Sequence, residues 1–243
     1  LVLFLCSKFG LSEAASGTIY SFFYAGIYIL SLVGGLIADR TQNYKGTIKT
    51  GLVVMAIGYI ILSVPILATS QNTTWLLTLT CVALFLIAFG NGLFKGNLQA
   101  IVGQMYDNFE AEAAKQGPEA LKIAKDKRDS GFQIFYVFIN VGGLIAPFIA
   151  PVLRQWWLGV NGLSYNAQLP ALCHEYINNA ANMAPEALAN LQQLMTAAGG
   201  AITDMTASCL QYLQIFNEGI HYSFIASVAA MLISLVIFFV SQK

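Results

Sequence analysis

Long apolar runs separated by short polar segments make up most of the chain. Five runs stand out, at residues 14–38, 47–69, 74–103, 131–153 and 219–240. Each is long enough to cross ~30 Å of hydrocarbon as a helix, which takes about 20 residues. Barrel strands are excluded because they need only about 9–11 residues and alternate in polarity. The pattern predicts an all-α membrane protein with five complete spans.

The opening segment 1–9 is apolar but too short to cross a membrane. It lacks the basic start and the small-residue cleavage site of a signal peptide. We interpret it as the second half of a truncated first helix. The predicted organisation is helices one to five over residues 1–154, an extracytoplasmic insertion over 155–218 and helix six over 219–243.

Composition excludes most soluble classes of protein. Only 10% of the residues are charged and 57% are hydrophobic, whereas soluble domains are about 25% charged. The 12 basic residues balance the 12 acidic residues, so nothing indicates a nucleic-acid partner. His174 and His221 stand apart from any metal-ligand spacing, and no hydrolase or phosphate-binding motif is present. We therefore expect no enzyme activity, no metal and no cofactor.

The distribution of basic residues predicts the orientation. Nine of the 12 Lys and Arg residues, Lys243 among them, lie in segments on one side of the predicted membrane. The other side has only Lys8 and Arg154. The positive-inside rule places the connectors 39–49 and 104–128 in the cytoplasm and the insertion 155–218 outside.

The insertion 155–218 is too long for an ordinary loop. Pro170 and Pro185 each open a stretch of helical periodicity, as proline at a first helical position does. A third periodic stretch follows Gly199 and Gly200, which predicts a small helical cap on the outer face.

The cap contains two of the four cysteines, Cys173 and Cys209. Thiols on the outer side of a cell membrane usually pair, so we expect a disulfide between them. Cys6 and Cys81 lie in predicted spans and should stay free.

Lys95 is the only Lys, Arg, Asp or Glu residue between positions 72 and 106. A lysine in mid-span costs about 2.5–3.5 kcal/mol on insertion scales, which favours a functional side chain that faces a cavity. The alternative is a lysine that reaches the nearby interface. Asn91 and Gln99 lie four residues to either side, and the three side chains form one polar stripe.

The fifth helix carries a second polar stripe, formed by Gln133, Tyr136 and Asn140. Its spacing of i, i+3 and i+7 places the three side chains on one face. They either line an aqueous path or form hydrogen bonds between helices, which are worth about 0.6 kcal/mol each.

The second helix has tyrosines at every fourth position, Tyr20, Tyr24 and Tyr28. Each hydroxyl needs a partner, which a polar cavity would supply, although core packing is the alternative. Asp39 and Arg40 end this span, where they would pair with a neighbouring helix end and latch one conformation.

Three motifs resemble those of one transporter family. The sequence G-G-L-I-A-D-R at 34–40 resembles the loop motif of the major facilitator superfamily. The sequence G-N-G-L-F-K-G-N at 90–97 resembles the fourth-helix signature of its proton-dependent oligopeptide transporters. The sequence R-D-S-G-F-Q-I-F-Y-V-F-I-N-V-G at 128–142 resembles their fifth-helix signature.

The resemblance implies twelve helices in two six-helix halves, of which this chain would be the N-terminal half. It implies a peptide-binding role for Tyr28, Lys95, Tyr136 and Asn140. The stripes described above add Tyr24, Asn91, Gln99 and Gln133 as possible cavity-lining residues. The family's first-helix motif E-x-x-E-R-F would precede the chain, and Gly96 stands where the family has proline.

The resemblance predicts proton-coupled symport of di- and tripeptides by alternating access across a bacterial cytoplasmic membrane. The partners would be a small peptide, protons, membrane lipid and a C-terminal half. Two alternatives stay open, which are a facilitator for another small metabolite or anion, and a non-transporting membrane protein whose cap is a docking domain.

Overall fold

The computed structural model describes residues 1–69 and 71–240. In these residues the chain forms eight α-helices and no strand. The helices are α1 (Val2–Phe9), α2 (Glu13–Thr41), α3 (Tyr44–Ser63), α4 (Thr73–Gln116), α5 (Pro118–Val160), α6 (Leu169–Asn179), α7 (Pro185–Ala197) and α8 (Met205–Val240). Lys243, which entered the charge count above, lies outside the described residues.

Five of these helices are long and apolar enough to cross a membrane, namely α2, α3, α4, α5 and α8. Four of them contain a whole apolar run and α3 contains most of the run 47–69, so the predicted all-α membrane class is confirmed. The first helix, α1, has eight residues and ends at Gly10, whose φ of 64° is the left-handed conformation that favours glycine.

The third span is shorter than its apolar run. Helix α3 ends at Ser63, whereas the run continues to residue 69. Pro65 explains the early end, because proline disfavours helical dihedrals in the residue before it and has no N–H to donate.

The predicted connector 104–128 is almost entirely helical. Helix α4 continues to Gln116 and α5 begins at Pro118, with Gly117 between them at φ 126°. Only glycine adopts that φ readily, and proline suits the first turn of a helix. Helices α4 and α5 therefore both extend beyond their apolar runs.

The chain divides into two compact units. The first unit consists of Leu1–Tyr24, Gly58–Phe85 and Ile149–Ala230. The second consists of Ala25–Ile57, Leu86–Phe148 and the described residues from Met231 onward. The predicted limits at 154/155 and 218/219 both fall inside continuous helices, α5 and α8.

The cap lies within the first unit and has its own apolar core. Pro170 lies in the first turn of α6 and Pro185 is the first residue of α7, as their positions predict. The third periodic stretch is the beginning of α8, so it continues without a break into the fifth apolar run, 219–240. The fully buried side chains of this core include Leu169, Cys173, Leu191, Met195, Cys209 and Phe216.

Candidate functional site

Lys95 and Tyr28 meet in the second unit. The Lys95 Nζ lies 5.4 Å from the centre of the Tyr28 ring, so α4 and α2 bring together two residues 67 positions apart in the chain. Both side chains are exposed, and a cation–π contact at an exposed site is worth about 0.5–1 kcal/mol. Among the described residues Lys95 forms no salt bridge, since the salt bridges there are those of Arg128. Its charge is therefore available to an anion.

The stripes on α4 and α5 are joined by one hydrogen bond. The Gln99 Nε2 donates to the Tyr136 hydroxyl at 3.3 Å. The structure thus places a member of the fourth-helix stripe against a member of the fifth-helix stripe, in side chains that are both exposed.

The remaining candidates have mixed surroundings. Asn140 and Gln133 are exposed on α5. The Oδ1 of Asn91 is buried and has no hydrogen-bond partner in the described part of the chain. Tyr24 belongs to the first unit, where its ring stacks on Tyr20 at 5.9 Å. A buried acceptor without a donor is costly, so Asn91 is a position where a further donor would be stabilising.

Close backbone contacts set the position of Lys95. A Cβ on Gly34 of α2 would collide with the Gly92 carbonyl of α4, and a Cβ on Gly51 of α3 would lie 2.7 Å from the Gly90 carbonyl oxygen. Only glycine permits these approaches, as small residues do wherever membrane helices pack closely. The residues one turn before Lys95 are therefore held against two neighbouring helices.

Asn97 is a positioning residue that the sequence reasoning missed. It is 2% exposed, and its Nδ2 donates to the Gly34 carbonyl at 3.1 Å and to the Leu93 carbonyl at 2.8 Å. This amide ties the turn that carries Lys95 to α2. The signal was present, because Asn97 ends the 90–97 motif and Gly34 begins the 34–40 motif.

The pair proposed as a latch has a different contact in this structure. The Tyr44 hydroxyl at the start of α3 donates to the Asp39 Oδ1 at 2.6 Å. Arg40 is exposed and forms no salt bridge among the described residues. The Asp39–Arg40 latch stays a prediction.

The two cap cysteines are neighbours. Cys173 on α6 and Cys209 on α8 are both fully buried, and both are free thiols in this structure. The neighbouring Cys209 thiol and burial raise the pKa of the Cys173 thiol. Cys6 is hydrogen-bonded to Ser16 at 3.2 Å, and Cys81 is exposed.

We expect Cys173 and Cys209 to be oxidised in protein purified without reductant. A bridge here closes a loop of about 35 residues, which stabilises the fold by roughly 3–4 kcal/mol in the chain-entropy model. Thiol counting after denaturation should find two reactive cysteines, Cys6 and Cys81, and reductant should lower the melting temperature. Cys6→Ser should leave that reductant effect intact and Cys173→Ser should remove it. Four reactive thiols in untreated protein would contradict the prediction.

A family model and the curated relatives that match this chain point to the same family. A family model described as the POT family matches residues 45–243. A di-/tripeptide transporter of Lactococcus lactis subsp. lactis is 35% identical over 152 residues, which is 63% of this chain and 25% of the relative. The dipeptide and tripeptide permease B of Shigella dysenteriae is 32% identical over 64% of this chain and 27% of the relative.

A third relative covers more of the chain. The dipeptide and tripeptide permease A of Pectobacterium carotovorum is 25% identical over 83% of this chain and 37% of the relative. The chain thus spans between a quarter and two fifths of the length of these relatives. No solved structure matches the chain significantly. Since the family model covers most of the sequence, from residue 45 to residue 243, the chain belongs to the POT family.

Proposed function

We propose that this chain is the N-terminal six-helix half of a major facilitator transporter that carries di- and tripeptides together with protons. The observation that carries the proposal is the Lys95 ammonium, which lies over the Tyr28 ring and has no salt-bridge partner among the described residues. A cation in a membrane span is costly, and its natural role is to face a partner or a cavity. The Lactococcus and Shigella relatives are named a peptide transporter and a peptide permease.

Each polar side chain has a chemical role in this proposal. Lys95 offers positive charge to a carboxylate, either that of the peptide or that of a buried acid. Tyr28 and Tyr136 offer hydroxyls, and Asn140 offers an amide, to the peptide termini and backbone. Gln99 orients Tyr136 through its hydrogen bond of 3.3 Å.

Alternating access requires a second half that supplies the other wall of the site. Rocking of the two halves would open the cavity to each side in turn, and the Asp39–Arg40 pair would latch one of the two states. We place the protein in a bacterial cytoplasmic membrane, with protonation of an acid outside this chain supplying the coupling. The peptide leaves chemically unchanged.

The test is uptake of a labelled dipeptide by proteoliposomes that contain a full-length transporter with this sequence. We expect an inward proton gradient to drive accumulation, and unlabelled dipeptides and tripeptides to compete. Free amino acids and small inorganic anions should not compete at the same concentration. Competition by a single amino acid or an anion, without competition by peptides, would instead indicate a facilitator for another metabolite.

A further inference from the structure

The first unit contains a buried ammonium, that of Lys8 at the end of α1. Lys8 is 8% exposed, and its Nζ lies 3.0 Å from the Nε2 of His221 on α8. His221 is 3% exposed, and its Nδ1 lies 2.7 Å from the Leu62 carbonyl oxygen. A carbonyl only accepts, so the Nδ1 carries the proton and the Nε2 accepts from Lys8. The imidazole is therefore neutral and leaves the charge of Lys8 uncompensated.

No acidic side chain in the described part of the chain forms a salt bridge with Lys8. Its other contacts are the rings of Phe4 and Phe9, whose centres lie 5.3 Å and 5.9 Å from the Nζ. Two of its three N–H donors therefore lack a hydrogen-bond acceptor among the described residues. A buried cation is unfavourable until it is paired, so this position attracts an anion.

Glu218 is the acidic residue that shares a small cavity with Lys8. Its two carboxylate oxygens already accept hydrogen bonds, one from the Trp157 Nε1 at 3.1 Å and one from the Gln214 Nε2 at 3.0 Å. Neither oxygen forms a salt bridge with Lys8 in the described part of the chain. Glu218 is therefore not the anion that neutralises Lys8.

A second cavity next to Lys8 has a volume of about 160 Å³. Apart from Lys8 and Thr80 its walls are apolar, and they include Phe4, Leu62 and Leu79. An apolar cavity of about 150 Å³ in another protein holds benzene. This cavity therefore has room for a chain of about six carbons, with Lys8 among the residues that line it.

We propose that the Lys8 cavity binds a single-chain carboxylate, with its acyl carbons among the apolar side chains and its carboxylate on the Lys8 Nζ. Charge complementarity selects the anionic head, and the apolar walls and the volume select a short tail. The site uses none of the residues assigned to the peptide, so it stands or fails independently of the proposed transport function.

The test measures binding and needs no transport. The probe is hexanoate, titrated into the purified full chain in phosphatidylcholine nanodiscs and followed by the melting temperature. We expect a saturable rise with hexanoate that hexanol, hexylamine and acetate do not produce at the same concentration. Hexanol lacks the charge, hexylamine reverses it and acetate lacks the tail.

Two variants locate the site. Lys8→Met removes the charge at nearly constant size and should weaken hexanoate binding at least tenfold, whereas Lys45→Met, at an exposed lysine of the second unit, should not. Leu79→Phe fills the cavity while Lys8 remains, and it should weaken hexanoate binding as well. This second variant keeps the test valid if Lys8→Met does not fold.

Several outcomes would overturn the proposal. An equal rise in melting temperature with hexanol would mean that the probe only partitions into apolar surroundings. An equal rise with acetate would mean a site for small anions. A Lys8-dependent rise with phosphatidylglycerol in the nanodisc, without a hexanoate effect, would assign the cavity to a lipid phosphate. Unchanged hexanoate binding by both Lys8→Met and Leu79→Phe would exclude this cavity altogether.

Discussion

Replacement of Lys95 by alanine is expected to reduce proton-driven dipeptide uptake to background while membrane insertion stays normal. Removal of an ammonium from a span relieves a cost of about 2.5–3.5 kcal/mol, so the variant should insert at least as well as the parent. Uptake should fail because the positive partner of a carboxylate is lost from the wall next to Tyr28. Removal of either member of such a pair leaves the other charge without its partner.

Two further variants sharpen this experiment. Lys95→Arg should also be impaired, because a planar guanidinium does not replace a compact ammonium. Lys122→Ala removes an exposed lysine of α5 and should leave uptake unchanged. Uptake by Lys95→Ala within about twofold of the parent, at equal expression, would mean that Lys95 only reaches the interface.

The largest expected effect on folding comes from Gly34→Ala. A Cβ at this position would collide with the Gly92 carbonyl oxygen and would lie 2.9 Å from the Leu93 Cα, and both are backbone atoms. Because a backbone cannot turn aside as a side chain does, α2 and α4 must separate. Overpacking of this kind costs typically 1–3 kcal/mol. The separation would also lengthen the Asn97–Gly34 hydrogen bond and displace Lys95.

Gly35→Ala is the matched control for this prediction. A Cβ on Gly35 meets no atom within 4 Å, so the added methyl group occupies open space. Alanine is also a better helix former than glycine, by roughly 0.8–1.0 kcal/mol in soluble hosts. We expect thermal melting of the purified protein to show a lower midpoint for Gly34→Ala and an equal or higher midpoint for Gly35→Ala. Equal midpoints for the two variants would show that the α2–α4 contact is not tight.

The sequence was sufficient for those features that depend on local composition. The membrane helices follow from apolar runs of about 20 residues, since each helix satisfies its own backbone hydrogen bonds within one segment. The starts of α6 and α7 follow from Pro170 and Pro185, because proline suits a first helical turn. Lys95 was identified because its cost inside a span does not depend on its neighbours.

The residues at which helices begin and end were harder to predict from the sequence. The third cap stretch and the sixth span are one helix, α8, and the connector 104–128 is almost entirely helical, interrupted only at Gly117. An apolar run marks where a helix meets lipid, whereas the helix itself continues until a proline, a glycine or a change of packing ends it. Polarity therefore predicted the spans but not their continuation.

Only the tertiary structure decided which distant residues meet. It placed Lys95 over Tyr28, Gln99 on Tyr136 and Asn97 on the Gly34 carbonyl. It also placed Lys8 next to His221, a histidine for which the surrounding sequence predicted no role. Such contacts depend on how closely two helices approach and on their rotation about their own axes. Those quantities arise from packing between segments far apart in the chain, and no local pattern of residues contains them.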